Sequence, residues 1–284
     1  MTKGMDETIG TTAGSVSGVG SKSEAGATTE AGPLGRVDPV NPATARNVVR
    51  PPLGLASITI VVGFIGLLVS LLILGSIAEG VRAQEVFALD TWATPFLHGI
   101  ASPGLDWVML RLTDIGSSLV IVPLFAVAVG LLLRNRRYGA ALFLGVASGG
   151  ALVLNGTMKV LFERPRPQLD YAKVLPDYSF PSGHTMNAFV FYVALALILW
   201  SVFGRRTGVA ALAIAVVVAL GVGVSRIYLG YHYLTDVVGG LLAGIAWLLV
   251  VGAAFRARPK WWSWGIPDAP VTRTPDDPGP AAVR

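Results

Sequence analysis

Residues 54–77, GLASITIVVGFIGLLVSLLILGSI, run for 24 positions without a charged side chain. Crossing a hydrocarbon core of about 30 Å takes roughly 20 mostly apolar helical residues, so this one stretch is long enough to span a bilayer. Five more stretches of the same character follow, at 116–133, 139–161, 184–203, 208–226 and 235–255. None alternates with the two-residue period of a barrel strand, and backbone groups inside lipid must be satisfied within their own segment, which a helix does. The expected fold is all-α, a polytopic membrane protein built as a bundle of six transmembrane helices.

The composition agrees. Of 284 residues, 53% are hydrophobic and 14% charged, against about a quarter charged in soluble domains. The chain has no cysteine, which excludes disulfides, thiolate catalysis and thiolate metal sites. A net charge of +5 points to no nucleic-acid partner, because the arginines sit in short clusters beside apolar spans. Arg134, Arg136 and Arg137 lie in one connection, Arg205 and Arg206 in another, and Arg256, Arg258 and Lys260 after the last span. The positive-inside tendency places these clusters in the cytoplasm, with Arg46 and Arg50 before the first span and Trp261, Trp262 and Trp264 near the inner interface. Both termini are then cytoplasmic, and 78–115, 162–183 and 227–234 face outward.

Residues 1–50, rich in Gly, Ser, Thr and Ala, are expected to form a disordered tail, 51–258 the membrane domain, and 259–284 a cytoplasmic C-terminal tail. The stretch from Val86 to Gly116 mixes Trp92, Phe96 and Trp107 with Asp90, Asp106, Arg111 and Asp114 and is too polar to span. It reads either as an amphipathic segment in the outer interface that shapes lipid access, or as a packed outer cap.

Three groups of residues on the outward side carry chemistry. Lys159, Arg164, Arg166 and Arg226 are cations at or near membrane depth, which is costly without a function. Pro181-Ser182-Gly183-His184 opens the fourth span, with Ser182 a natural N-cap and Gly183 permitting close backbone approach to an anion at the helix start. His232 and Asp236 stand four apart at the start of the sixth span, on one helical face, where a carboxylate can fix the imidazole tautomer. Arg164 falls between these positions and reads as a snorkelling side chain or a local partner of Glu163. His98, outside every group, reads as structural, and Tyr228, Tyr231 and Tyr233 as an interfacial aromatic belt.

Lys159 through Arg166-Pro167, Pro181-Ser182-Gly183-His184, and Ser225-Arg226 through His232 to Asp236 resemble the three signatures of the type-2 phosphatidic acid phosphatase superfamily, with every specified position present. The resemblance spans roughly 54–255 and implies a plasma-membrane lipid phosphate or polyprenyl diphosphate phosphatase, such as an undecaprenyl-diphosphatase. It implies that His232 is the nucleophile, forming a phosphohistidine, that Asp236 orients it, and that His184 is first acid and then base. Lys159, Arg166, Ser182, Gly183 and Arg226 would bind the phosphate, with no metal and no cofactor. A lipid phosphotransferase remains open from sequence, as does, less favourably, an anion carrier that breaks no bond.

Overall fold

The computed structural model describes residues 53–257, apart from 86 and 174. The expected tails, with Arg46, Arg50, Arg258, Lys260, Trp261, Trp262 and Trp264, lie outside the described residues. Within them the chain is helical and contains no strand: α1 (Leu53–Arg82), α2 (Ala88–Gly99), α3 (Pro103–Ile115), α4 (Ser118–Arg134), α5 (Tyr138–Phe162), α6 (Gly183–Phe203), α7 (Arg205–Tyr228) and α8 (Leu234–Arg256).

Among the described residues, five helices are long and apolar enough to cross a membrane: α1, α5, α6, α7 and α8. The expected span at 116–133 takes a different form. Its helix α4 has 17 residues and reaches span length only together with α3, from which it bends by 43°. The break falls at Gly116-Ser117, where a Cβ on Gly116 would stand 2.4 Å from Val222 Cγ1. Close contact with α7 thus fixes the point at which the chain turns. The first span also runs further than expected, to Arg82, and α7 takes Arg205 and Arg206 into its first turn.

Helix α6 is the axis of the bundle, packing against α5, α7 and α8. Met186, Val190, Phe191, Ala194 and Ile198 are buried along its length, and its apolar residues surround it on every side, the pattern of a helix enclosed by others. Helix α1 lies against α8 and leaves Ile60, Val62, Phe64 and Leu72 more than half exposed. In water such a continuous apolar face would be an aggregation liability, whereas in a bilayer it is the lipid-facing wall.

The stretch between α1 and α4 holds two helices, α2 and α3, packed on the bundle. Asp90, Ala93 and Thr94 of α2 are buried, and α2 contacts α7 and α8 while α3 contacts α7. The outer face of α2 keeps Trp92 stacked on Phe96, ring centroids 4.8 Å apart, and both rings are more than half exposed. His98, assigned no catalytic part from sequence, stacks on Tyr171 at 3.5 Å.

Chain direction puts the C-terminal ends of α5 and α7 and the N-terminal ends of α6 and α8 at one end of the bundle. Arg134, Arg136, Arg137, Arg205, Arg206 and Arg256 mark the other end.

Candidate active site

Helix α5 ends at Glu163, which adopts a left-handed conformation with φ 44°, and Pro165 and Pro167 then hold the chain extended. This returns Arg166 toward the bundle axis. The loop closes when the Ser179 amide donates to Arg164 O at 2.9 Å, leading the chain through Pro181 into α6. Asn155 of α5 braces that turn, its Nδ2 donating to Pro181 O at 3.2 Å. A Cβ on Gly183 would stand 2.8 Å from Asn155 Oδ1, and one on Gly240 of α8 would stand 2.8 Å from Ser182 O. Glycine at these two positions therefore lets α5 and α8 close on the start of α6.

A cavity of about 330 Å³ opens at this junction, with Asn155, Lys159, Arg166, Asp177, Gly183, His184, Asn187, Arg226 and His232 in its lining. These nine residues come from four separate stretches of chain, and three are cations facing one carboxylate. Such a cavity calls for an anion.

His232 is 1% exposed and its two ring nitrogens have different neighbours. Nδ1 lies 3.3 Å from Asp236 Oδ2, while Arg166 Nη1 lies 3.2 Å from Nε2. An arginine donates only, so Nε2 presents its lone pair and Nδ1 carries the proton toward Asp236. Burial pushes the imidazole down to about 4, outweighing the opposing pull of Asp236, and the ring is neutral near pH 7.

Asp236 is fully buried and saturated with donors. Oδ2 also accepts from Ser179 Oγ at 2.8 Å and from the Tyr233 amide at 2.9 Å, and Oδ1 accepts from Arg164 Nη1 at 2.6 Å. A buried carboxylate is tolerated only when paired and hydrogen-bonded in this way.

The cations are held as firmly. Arg166 donates from Nη1 to Tyr231 O at 2.6 Å and from Nε to Asp177 O at 2.9 Å. Its Nη2 pairs with Asp177 Oδ1 at 2.7 Å, and Lys159 pairs with the other oxygen of Asp177. Burial alone would raise the Asp177 carboxyl, but Lys159 and Arg166 overcome it and hold the group at about 2. Arg226 donates from Nη1 to Thr113 Oγ1 at 2.9 Å and lies over the Tyr231 ring at 4.4 Å, while its Nε is buried without a hydrogen-bond partner among the described residues.

The structure thus gathers Lys159, Arg166, Gly183, His184, Arg226 and His232 on one cavity, with Asp236 behind His232. Ser182 is placed differently. It is fully buried, makes no side-chain cap bond, and its hydroxyl lies 2.9 Å from Thr185 Oγ1. Two participants, Asp177 and Asn155, were not singled out from sequence, and Arg164 was read there as lying outside the site. Arg164 neither snorkels nor pairs with Glu163, since it is clamped between Asp90 at 2.8 Å and Asp236 at 2.6 Å. Asn155 alone carried a visible signal, a polar amide inside an apolar span. Of the tyrosines read as a belt, Tyr228 is buried and Tyr231 supports Arg226.

Comparison with known proteins points the same way. Residues 139–262 match the PAP2 superfamily. Phosphatidylglycerophosphatase B of Bacillus subtilis (strain 168) is 32% identical over 179 residues, covering 62% of this chain and 87% of the relative. A putative undecaprenyl-diphosphatase of Escherichia coli (strain K12) is 32% identical over 145 residues, covering 49% and 69%. Among solved structures, a transmembrane PAP2-type phosphatidylglycerolphosphate phosphatase from Bacillus subtilis superposes with a TM-score of 0.61 at 30% identity, over 68% of this chain and 96% of that one. With a relative matched over nearly its whole length, and the three motifs drawn together around one cationic cavity, this chain belongs to the PAP2 superfamily and is a membrane phosphatase of that family.

Proposed function

We propose that the chain hydrolyses a lipid phosphate or polyprenyl diphosphate through a phosphohistidine on His232. The observation that carries this reading is the state of His232, a buried neutral imidazole whose Nδ1 is engaged by Asp236 at 3.3 Å and whose Nε2 faces the cationic cavity. A nucleophile activated by an oriented partner and set opposite fixed positive charge is the arrangement that covalent phosphoryl transfer requires.

In the first half-reaction Nε2 attacks phosphorus, the bond from phosphorus to the lipid oxygen breaks, and His184 gives that oxygen a proton. In the second, water attacks the phosphohistidine, His184 takes the water's proton, the P–N bond breaks, and inorganic phosphate and neutral His232 are restored. Lys159, Arg166 and Arg226, with the first-turn amides of α6 beginning at Gly183, hold the non-bridging oxygens, while Ser182, bonded to Thr185, shapes the turn that presents those amides. Asp236 keeps the ring in one tautomer and stabilises the positive charge it gains as the P–N bond forms. The three cations supply the charge neutralisation for which other phosphoryl-transfer enzymes use divalent metal.

The lipid class is supported by the relatives, whose names specify phosphatidylglycerophosphate and undecaprenyl diphosphate, and by the exposed Trp92–Phe96 face of α2 beside the site end of the bundle. The arginine clusters at the opposite end support a plasma-membrane orientation with both termini cytoplasmic and the cavity at the extracytoplasmic face.

The test is phosphate release by purified, detergent-solubilised protein from phosphatidate, phosphatidylglycerophosphate and undecaprenyl diphosphate, with and without EDTA. Release that persists in EDTA and ranks these lipids supports the reading. No release from any of them, with phosphate passing instead to an added acceptor alcohol, would make the chain a transferase.

A further inference from the structure

Arg164 fills an unspecified position within the first motif and does not line the cavity, yet among the described residues it is the cation at this end of the bundle that pairs with two buried carboxylates. Its Nη1 donates to Asp236 Oδ1 at 2.6 Å and to Thr235 Oγ1 at 2.8 Å, and its Nη2 donates to Asp90 Oδ2 at 2.8 Å. Asp90 in turn accepts from the Thr235 amide at 2.8 Å and from the Thr235 hydroxyl at 2.6 Å. The guanidinium is packed against the Tyr233 ring at 4.2 Å. A chain of alternating charge therefore runs from Asp90 on the capping helix α2 through Arg164 to Asp236 and ends on His232.

A carboxylate has two oxygens, and which of them faces the histidine matters. With Oδ1 tied to Arg164, rotation of the Asp236 side chain is blocked and Oδ2 stays directed at His232 Nδ1. The planar guanidinium can hold both carboxylates in one plane, which a lysine ammonium does not reproduce. Resting on the reading of His232 as nucleophile, we propose that Arg164, anchored by Asp90, is a positioning residue for the reaction: it fixes Asp236 and through it the attacking geometry of His232. The docking of α2 is thereby built into the alignment of the nucleophile.

Loss of such an orienting partner costs on the order of 10- to 100-fold in rate when the reacting geometry loosens. Arg164→Gln should therefore lower kcat by about that factor while KM stays within about threefold, because the phosphate cradle of Lys159, Arg166 and Arg226 is untouched. Arg164→Gln also strands Asp90 as a buried charge, so instability must be separated from misalignment. The double variant Asp90→Asn with Arg164→Gln removes both charges; it should recover most of the melting temperature and leave kcat low.

The experiment measures kcat, KM and melting temperature for wild type, both glutamine variants and Arg164→Lys, using phosphatidylglycerophosphate in detergent micelles or, if wild type prefers it, undecaprenyl diphosphate. Low kcat in the stable double variant is the expected result. Recovery of kcat together with melting temperature, or a wild-type kcat in Arg164→Gln, overturns the inference. If neither glutamine variant folds, Arg164→Lys decides: reduced kcat with little change in KM supports the inference, and wild-type kcat overturns it. Failure of wild type itself to release phosphate would instead count against the proposed function.

Discussion

Arg166 Nη2 and Asp177 Oδ1 are paired at 2.7 Å on the wall of the cavity, with Lys159 on the second oxygen of the same carboxylate. Asp177 thus holds the two cations that a phosphate must reach, and a carboxylate with its two oxygens is a fair imitation of two phosphate oxygens. Its side chain is 54% exposed, on the open side of the cavity, so it can swing outward when an anion arrives.

Competition of this kind predicts that Asp177→Asn binds anions more tightly. Inhibition constants for inorganic phosphate and vanadate should fall by roughly 3- to 10-fold, the scale of one charge-assisted contact in a partly solvated site. Steady-state inhibition measures it. Weaker binding in the variant would show that Asp177 aligns Lys159 and Arg166 rather than competing for them.

A second prediction concerns pH. His232 attacks only when Nε2 is unprotonated, and its proton affinity in the folded protein is depressed to about 4. The acid limb of kcat/KM contributed by this group should lie near pH 4 rather than near the ordinary histidine value of about 6.5. Asp236 raises the affinity of His232 for a proton, so Asp236→Asn should move that limb lower still while reducing the rate. The linkage to stability has the same sign. Between about 4 and 6.5 the unfolded chain binds the proton and the folded chain does not, so stability from this group is present above that window and lost as pH falls through it.

Arg226 makes the third case. Its Nη1 is bonded to Thr113 and its plane lies over Tyr231, leaving the buried Nε and the remaining edge for an anion. Arg226→Ala should reduce kcat/KM by on the order of 10²- to 10³-fold, as for removal of a transition-state donor. Arg226→Lys should still lose on the order of tenfold, because a point charge replaces a fork. Equal activity of Arg226→Lys and wild type would remove Arg226 from the cradle.

Packing supplies the fourth. Gly240→Ala sets a methyl group 2.8 Å from the carbonyl of Ser182, a backbone atom that cannot yield as a side chain would. The expected cost is about 1–3 kcal/mol of stability, together with reduced activity as α8, which carries Asp236, is pushed from the start of α6. A thermal melt and a rate measurement on one preparation would check both.

Much of this molecule was legible in one dimension because membrane helices advertise themselves by length and composition. Residues 54–77 needed no partner to be read, and His232 with Asp236 could be placed on one face from their spacing alone. The bend between α3 and α4 was not legible, because it depends on Gly116 meeting Val222 across the bundle. The same holds for the charges that complete the site. Arg164 and Asp236 are 72 residues apart in sequence, and Arg164 and Asp90 are 74 apart. Beside Glu163 in the sequence, Arg164 has an obvious local partner; in the fold it has two distant ones. Ser182 occupies the N-cap position of α6 that its place in the sequence suggested, but it makes no side-chain cap bond, and its hydroxyl meets that of Thr185 instead.

The proposed mechanism rests on phosphorus becoming bonded to His232. Rapid acid-free quenching of enzyme mixed with a phosphorus-labelled lipid phosphate, followed by peptide mass analysis, reads this directly, because phosphohistidine survives base and is lost in acid. Label is expected on the peptide carrying His232, absent in His232→Ala and retained longer when His184 is replaced, since His184 activates the water that discharges it. Release of phosphate at full rate by His232→Ala, or label on another residue, would contradict it.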